Sequence, residues 1–285
     1  MPPMPPADLR YNVSAIRDEA LFDQLGRQSI VDFSRALSSL GRSIGDFHRI
    51  LEWGCGCGRI LRHLEFDPTR QEVHGCDIDP KGIAWLRENM PALQVIANEG
   101  LPPLPYPDGH FDLILNHSVL THLDEAYQDA WLAELQRILA PGGIALLTVH
   151  GPFAHEAWAA NLPSGSPELA RALVESRRML AERGIYFLVD NGWSENFPEY
   201  YQNTFHAPWY IFESWTRFFD IAGYIPQGSL SHQDMVILRQ RQSVQRAPAQ
   251  AEIARLRQEV LALRSSTSWR ITAPLRRLAG WLKRG

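Results

Sequence analysis

Ile50-Leu51-Glu52-Trp53-Gly54-Cys55-Gly56-Cys57-Gly58 reads as a short buried strand running into a turn with glycine at every second position. A strand-to-helix turn that presses its backbone against a ligand needs residues without a Cβ. The spacing is not the dinucleotide-binding Gly-x-Gly-x-x-Gly. Nor is it a P-loop, because no Gly-Lys-Ser/Thr follows. Alone, such a turn is equally a plain loop. The stretch Glu72-Val73-His74-Gly75-Cys76-Asp77 narrows the choice. Asp77 closes an apolar strand 19 residues after Gly58. A nucleotide-binding α/β sheet uses an acid there to accept hydrogen bonds from ribose hydroxyls. The plainer role for Asp77, a helix cap, is already filled by Asp79 ahead of Pro80.

Working outward, Leu93 to Ala97, Phe111 to Leu115 and Ile144 to His150 read as further strands. Helical patterns fall at 16–40, 81–90 and 124–139, with a helix start at Arg59 to Leu64 and a turn at Pro141-Gly142-Gly143. Beyond 150 the pattern is less regular. A helix is expected at about 167–183, another over Pro208 to Phe219, and closing strands at Tyr224-Ile225 and Met235 to Leu238. Strands alternating with helices predict an α/β fold: a Rossmann-like, doubly wound, seven-stranded, mostly parallel sheet with helices on both faces and a C-terminal helical tail. The expected organisation is an N-terminal helical segment at 1–45, a main domain at 46–240 with a substrate or lid insertion at 151–222, a linker at 241–250, and a tail at 251–285. Residues 1–12 are Pro-rich and expected to be mobile.

The 285 residues are 45% hydrophobic and 21% charged, an ordinary globular balance. No apolar run approaches the length needed to span a bilayer, and the N-terminus lacks signal-peptide character. Cys55, Cys57 and Cys76 are too few for a disulfide framework or a structural zinc site. A cytoplasmic setting follows, at the inner face of the cytoplasmic membrane if the tail tethers the chain, and no metal is expected. In the tail, eight Arg/Lys against Glu252 and Glu259 give +6, which leaves −10 for the rest of a chain of net charge −4. An acidic body is a poor nucleic-acid binder.

With both motifs in view, the chain resembles class I S-adenosylmethionine-dependent methyltransferases of the type 11/12 kind. Their acid-x-Gly-x-Gly-x-Gly motif matches Glu52 to Gly58, and their strand ending in Asp matches Asp77. The stretch Pro103 to Asp112, the segment Asn116 to Leu123, and Leu135 to Gly143 continue the likeness, which covers about 48–150. The resemblance implies S-adenosyl-L-methionine as cofactor. It brings Gly54, Cys55, Gly56 and Gly58 to the methionine part, with Glu52 orienting its amino group and Asn116 beside it. Asp77 would hold the ribose, Ile78 would pack on adenine, and Asn98 and Glu99 would meet the adenine edge. Asn98-Glu99-Gly100 departs from the commoner Gly-Asp-Ala type at that last contact.

Methyl transfer is an in-line displacement in which the protein supplies alignment and charge placement. A hydroxyl nucleophile benefits from a general base, most often His. The candidates are His117, His122, His150, His155, His206 and His232. His150 ends the fifth strand, where open α/β sheets place ligands, and His206 lies in the aromatic stretch Tyr200 to Tyr210. His150 and His206 are the bases expected. Trp193, Tyr201 and His232 are the expected substrate contacts, since aromatic faces and amides suit a sugar ring.

Ser265-Ser266-Thr267-Ser268-Trp269-Arg270-Ile271-Thr272-Ala273-Pro274-Leu275-Arg276-Arg277-Leu278 resembles a C-terminal signature of bacterial surface-polysaccharide assembly proteins. Its apolar stripe and basic residues suit a membrane interface, a partner such as a glycosyltransferase, or the chain's own acidic body. The leading expectation is O-methylation of a sugar hydroxyl in a cell-surface glycan or glycolipid. Two alternatives stay open: a small-molecule or lipid O-methyltransferase, and a non-catalytic cofactor-binding scaffold for glycosyltransferases.

Overall fold

A computed structural model describes residues 2–162, 167–189, 198 and 200–242, with isolated positions at 255, 258 and 262. The tail, most of the linker and Trp193 lie outside the described residues. Two helices come first, α1 (Ala7–Ser14) and α2 (Glu19–Ser38). Then follow β1 (Arg49–Trp53), β2 (Glu72–Asp77), α3 (Pro80–Asn89), β3 (Gln94–Ala97), β4 (Phe111–Asn116), α4 (Glu125–Ile138) and β5 (Leu139–Val149). After these come α5 (Pro152–Ala160), α6 (Pro167–Glu182), β6 (Ile185–Leu188), β7 (Asn203–His206), α7 (Pro208–Ser214), β8 (Asp220–Ser229) and β9 (Gln233–Arg239).

The main sheet has seven strands in the order β3-β2-β1-β4-β5-β9-β8. The first five are parallel, and β9 runs antiparallel between β5 and β8. This is the doubly wound, Rossmann-like sheet the sequence predicts. Alternation along each strand divides the core in two. Leu51, Ile114, Val236 and Leu238 face one layer with Trp131 and Trp215. Ile50, Leu113, Met235 and Ile237 face the other with Phe33 and Leu86. Both faces are buried, so the strands read as continuous apolar runs rather than as alternating ones. Side-chain caps start three of the helices: Asp18 accepts from the Leu21 amide, Asp79 from Lys81 and Asp124 from Tyr127.

Several expectations change. Residues 7–14 are helical rather than mobile, and Arg10 is buried. Its guanidinium donates to the carbonyls of Pro5 and Arg17 and pairs with Glu19 at 3.2 Å. Those carbonyls replace water as partners, which is why a polar, Pro-rich sequence orders here. The helix start at 59–64 is only a 3-10 turn, Leu61–His63. The turn Pro141-Gly142-Gly143 is absorbed into β5. A small second sheet, β6 with β7, was not foreseen.

The long segment between β3 and β4 is stitched to α4 by a buried pair. Glu134 accepts from the Leu104 amide and from Arg137, and Arg137 reaches the carbonyls of Leu104 and Tyr106. Glu134→Ala would leave a buried guanidinium with only the half-exposed Asp108, at 3.0 Å, as counter-ion, and the Leu104 amide without its acceptor. It should cost about 3–5 kcal/mol of unfolding free energy, measured by urea denaturation. A loss under about 1 kcal/mol would contradict the role given to this pair.

Candidate functional site

The C-terminal ends of the parallel strands open into a cavity of about 380 Å³, the place where open α/β sheets hold ligands. The turn after β1 forms its floor. The Gly54 and Cys55 amides both donate to the Cys76 carbonyl, at 2.8 and 3.1 Å, which fastens the turn to β2. Gly54 and Gly56 have φ of +78° and +53°. A Cβ on Gly54 would run into Val119, and one on Gly56 into Val13. Gly54, Cys55 and Gly56 line the cavity. Gly58 does not; a Cβ there would meet Leu86 of α3 at 2.6 Å, so this glycine admits a helix rather than a ligand.

Asp77 lines the cavity with Ile78 and Asn98. Its carboxylate accepts from the Gly56 amide at 2.7 Å and the Asp79 amide at 2.8 Å. Burial pushes its carboxyl up to about 6, against those two hydrogen bonds. Glu52 and Asn116 stand on neighbouring strands, β1 and β4; Glu52 lines the cavity, whereas Asn116 is fully buried outside the lining. Burial pushes the Glu52 carboxyl up to about 8, although Arg59 beside it favours the charged form. Glu52 Oε2, Asn116 Oδ1 and Arg59 Nε are buried without hydrogen-bond partners, while Asn116 Nδ2 is held by the Trp53 carbonyl at 2.7 Å. Buried polar atoms are rarely left unpaired, and the two on the cavity-lining Glu52 and Arg59 point to a ligand. Two acceptors and a guanidinium donor suit a group bearing both ammonium and carboxylate. The half-buried acid Asp77 suits a diol. Glu99 is exposed and outside the cavity lining; only its carbonyl meets Asn98, at 2.7 Å.

The opposite wall carries histidines. A polar ring links Ser118, Thr148 and Gln233 (2.7–2.8 Å) and ties the segment after β4 to β5 and β9. His150 lines the cavity, and burial holds its imidazole well below the usual range, with neighbouring histidines adding to the effect. One ring nitrogen bonds the Thr204 backbone, and Nδ1 is buried without a partner. His122 donates to the Gln202 carbonyl at 2.8 Å, and Tyr201 stacks on it at 4.2 Å between centroids. Both line the cavity, as does His117, which bonds Ser229.

His206 lies behind this wall. Gln128 spends its amide on the carbonyls of Leu120 and Leu123, so its Oε1 accepts from His206 Nε2 at 2.9 Å. The His206 amide donates to the His150 carbonyl at 2.8 Å. His206 thus holds the backbone of His150 and does not face the cavity. His232 is exposed and outside the lining, with its ring 5.9 Å from that of His150. His155, on α5, bonds Ser176 instead.

Two groups of lining residues escaped the sequence reading. Arg59 directly follows the last glycine, and only its burial beside Glu52 marks it. Asn12 to Ile16 cross the cavity as a strap, with Val13 against Gly56. No motif signals it; the pocket ties it to the glycine turn only in three dimensions.

Residues 51–147 match the family model described as a methyltransferase domain. A fatty-acid O-methyltransferase of Mycolicibacterium smegmatis is 31% identical over 177 residues, covering 61% of this chain and 59% of the relative. A phthiotriol/phenolphthiotriol dimycocerosates methyltransferase of Mycobacterium ulcerans is 30% identical over 195 residues, covering 67% and 63%. The chain therefore spans less than two thirds of the length of these relatives. The solved structure of PigF with SAH shares the fold, with a TM-score of 0.50 at 14% identity, over 82% of this chain and 58% of that one.

The site's ionisable groups give the protein a defined pH response. Folded Glu52 keeps its proton to about pH 8, whereas the unfolded chain releases it near 4.5. The folded state holds the extra proton between those values, so stability falls as pH rises through them. His122 and His206 act in the opposite sense: folded they titrate at about 4 and about 3, unfolded at 6.5. Burial lowers His117 and His150 likewise, so these four outweigh Glu52 and Asp77 and stability falls as pH drops below 6.5. The melting temperature of ligand-free protein should peak near pH 6.5 and decline toward pH 8, and Glu52→Gln should flatten that decline. A wild-type profile that still climbs above the peak would contradict this.

Proposed function

We propose that this chain is an S-adenosylmethionine-dependent O-methyltransferase. The observation that carries the reading is a cavity lined by Glu52 and Arg59, with their unpartnered Oε2 and Nε, and also by His150, with its own unpartnered Nδ1; Asn116, with an unpartnered Oδ1, ends the adjacent strand β4 outside that lining. Glu52 and Asn116 would accept from the methionyl ammonium, and Arg59 would face its carboxylate. Asp77 would take the ribose hydroxyls, with Ile78 and Asn98 at the adenine. When bound, the cofactor supplies a methyl group on a sulfonium. The chain's own part is alignment and proton handling. His150, kept neutral by burial, would accept the proton of an acceptor hydroxyl at Nδ1 as the C–O bond forms. His206 would position His150 through the backbone, and the strap at 12–16 would exclude water.

For the acceptor, the relatives named for a fatty acid and for phthiotriol dimycocerosates favour a lipid-like molecule carrying a hydroxyl or carboxyl group. A second reading, a glycan hydroxyl, is favoured by the wall of Tyr200, Tyr201, Asn203 and Gln233 and by the sequence of the tail. The tail would then bring the enzyme to an anionic membrane face or to glycosyltransferases. Among the described residues, no helix is long and apolar enough to cross a membrane.

Calorimetric titration with S-adenosylmethionine tests the cofactor. Asp77→Ala should weaken binding strongly, and no binding by the parent protein would refute the proposal. His150→Ala separates the acceptors. With a hydroxyl acceptor its kcat should fall about 10²–10⁴-fold while cofactor affinity holds. With a fatty acid, already ionised at neutral pH, the fall should be small. Mass spectrometry of products from lipid and sugar acceptors reads both outcomes, and a full rate with hydroxyl acceptors in His150→Ala would remove the base assignment.

A further inference from the structure

A second cluster lies at the other end of the sheet, where the parallel strands begin. Glu72 opens β2, and His74 stands two residues on, on the same face of the strand. His110 immediately precedes β4, at the end of the segment that Glu134 and Arg137 tie down. The ligand atoms of Glu72, His74 and His110 all lie within 4.8 Å of one another. None of the three lines the cavity.

His74 is 4% exposed, and its Nε2 has no hydrogen-bond partner. The Glu72 carboxylate stands 3.7 Å from that nitrogen, too far for a hydrogen bond. A buried imidazole nitrogen held in this state is costly unless something else takes its lone pair. The surroundings fix its direction. Tyr106 stacks on His110 at 5.5 Å and 11°, and Phe111 meets His74 edge-on at 5.1 Å. These rings wall one side, while Glu72 is exposed and leaves an entry path.

The geometry points to a divalent transition-metal site, zinc by preference, held by His74, His110 and Glu72. Two imidazole nitrogens and one carboxylate oxygen are a borderline donor set that suits zinc, with water as fourth ligand in a tetrahedral shell. Binding requires the ligand atoms to close toward bond lengths of about 2.0–2.2 Å. The Glu72 side chain, 52% exposed, has the freedom to make that movement. It would exchange Arg49, now 3.6 Å away and itself half-exposed, for the ion. The ion would join β2 to the segment entering β4 across the intervening β1, a cross-link remote from methyl transfer.

The test is calorimetric titration of the tag-free, chelator-treated full chain with zinc chloride, with cobalt(II) absorption reporting coordination geometry. One-to-one saturable binding, a tetrahedral cobalt spectrum and a higher melting temperature with zinc are expected. Glu72→Gln and His110→Ala should each weaken zinc at least about tenfold, because losing a ligand costs more than the outer-shell changes that already cost that much. Their melting temperatures in chelator should stay near the parent's, which separates lost ligation from misfolding. His232→Ala, exposed at the far end of the sheet, should leave zinc affinity unchanged. No saturable binding, or unchanged affinity in either ligand variant, overturns the proposal.

Discussion

Two backbone amides, from Gly56 and Asp79, converge on the Asp77 carboxylate at 2.7 and 2.8 Å. One belongs to the turn after β1 and the other to the start of α3. The Asp77 carbonyl takes a third amide, from Asn98 after β3, at 2.9 Å. The exits of three adjacent strands are thus referenced to one residue, and the cavity inherits its floor from that arrangement. Gly56 is fixed where Val13 can close on it. A carboxylate that satisfies loop amides while still lining the cavity joins the fold to the site directly.

The site carries polar groups that its own residues do not pair. Glu52, Arg59, Asn116 and His150 each bury a polar atom that no described residue satisfies. Glu52 answers by holding a proton that a solvated carboxyl would lose. Such groups lower stability without a ligand and favour the ligand that completes them, the usual exchange between stability and function at a binding site. A cation near Glu52 would draw its carboxyl back toward the charged form.

Most of the main sheet was legible because its strands are buried on both faces and bounded by Gly, Pro and Asp. Glu52, Gly54, Cys55, Gly56, Asp77, Ile78, Asn98, His150 and Tyr201 do converge on one cavity, while Asn116 lies outside its lining. Features set by distant contacts were not legible. Asn203–His206 has no alternation of its own and becomes a strand by pairing with Ile185–Leu188. Gly58 looks like its two neighbours in sequence, yet Leu86 decides what it faces. His206 sits in a promising aromatic stretch, but Gln128, 78 residues away, claims its ring. Arg59 and the strap carry no pattern, since their place depends on burial that no local spacing encodes.

The knot at Arg10 reaches beyond the first helix. The same N-terminal segment sends the Pro2 carbonyl and Met4 sulfur to Arg62, and Arg62 pairs with Asp23 on α2 at 3.4 Å. Val13 is therefore held over the glycine turn from both sides of α1. A ligand seated against Gly56 would pack on a segment whose position depends on how firmly the first twenty residues are anchored. Fusions or deletions ahead of Arg10 would loosen one wall of the cavity, even though they touch none of the strands that shape it.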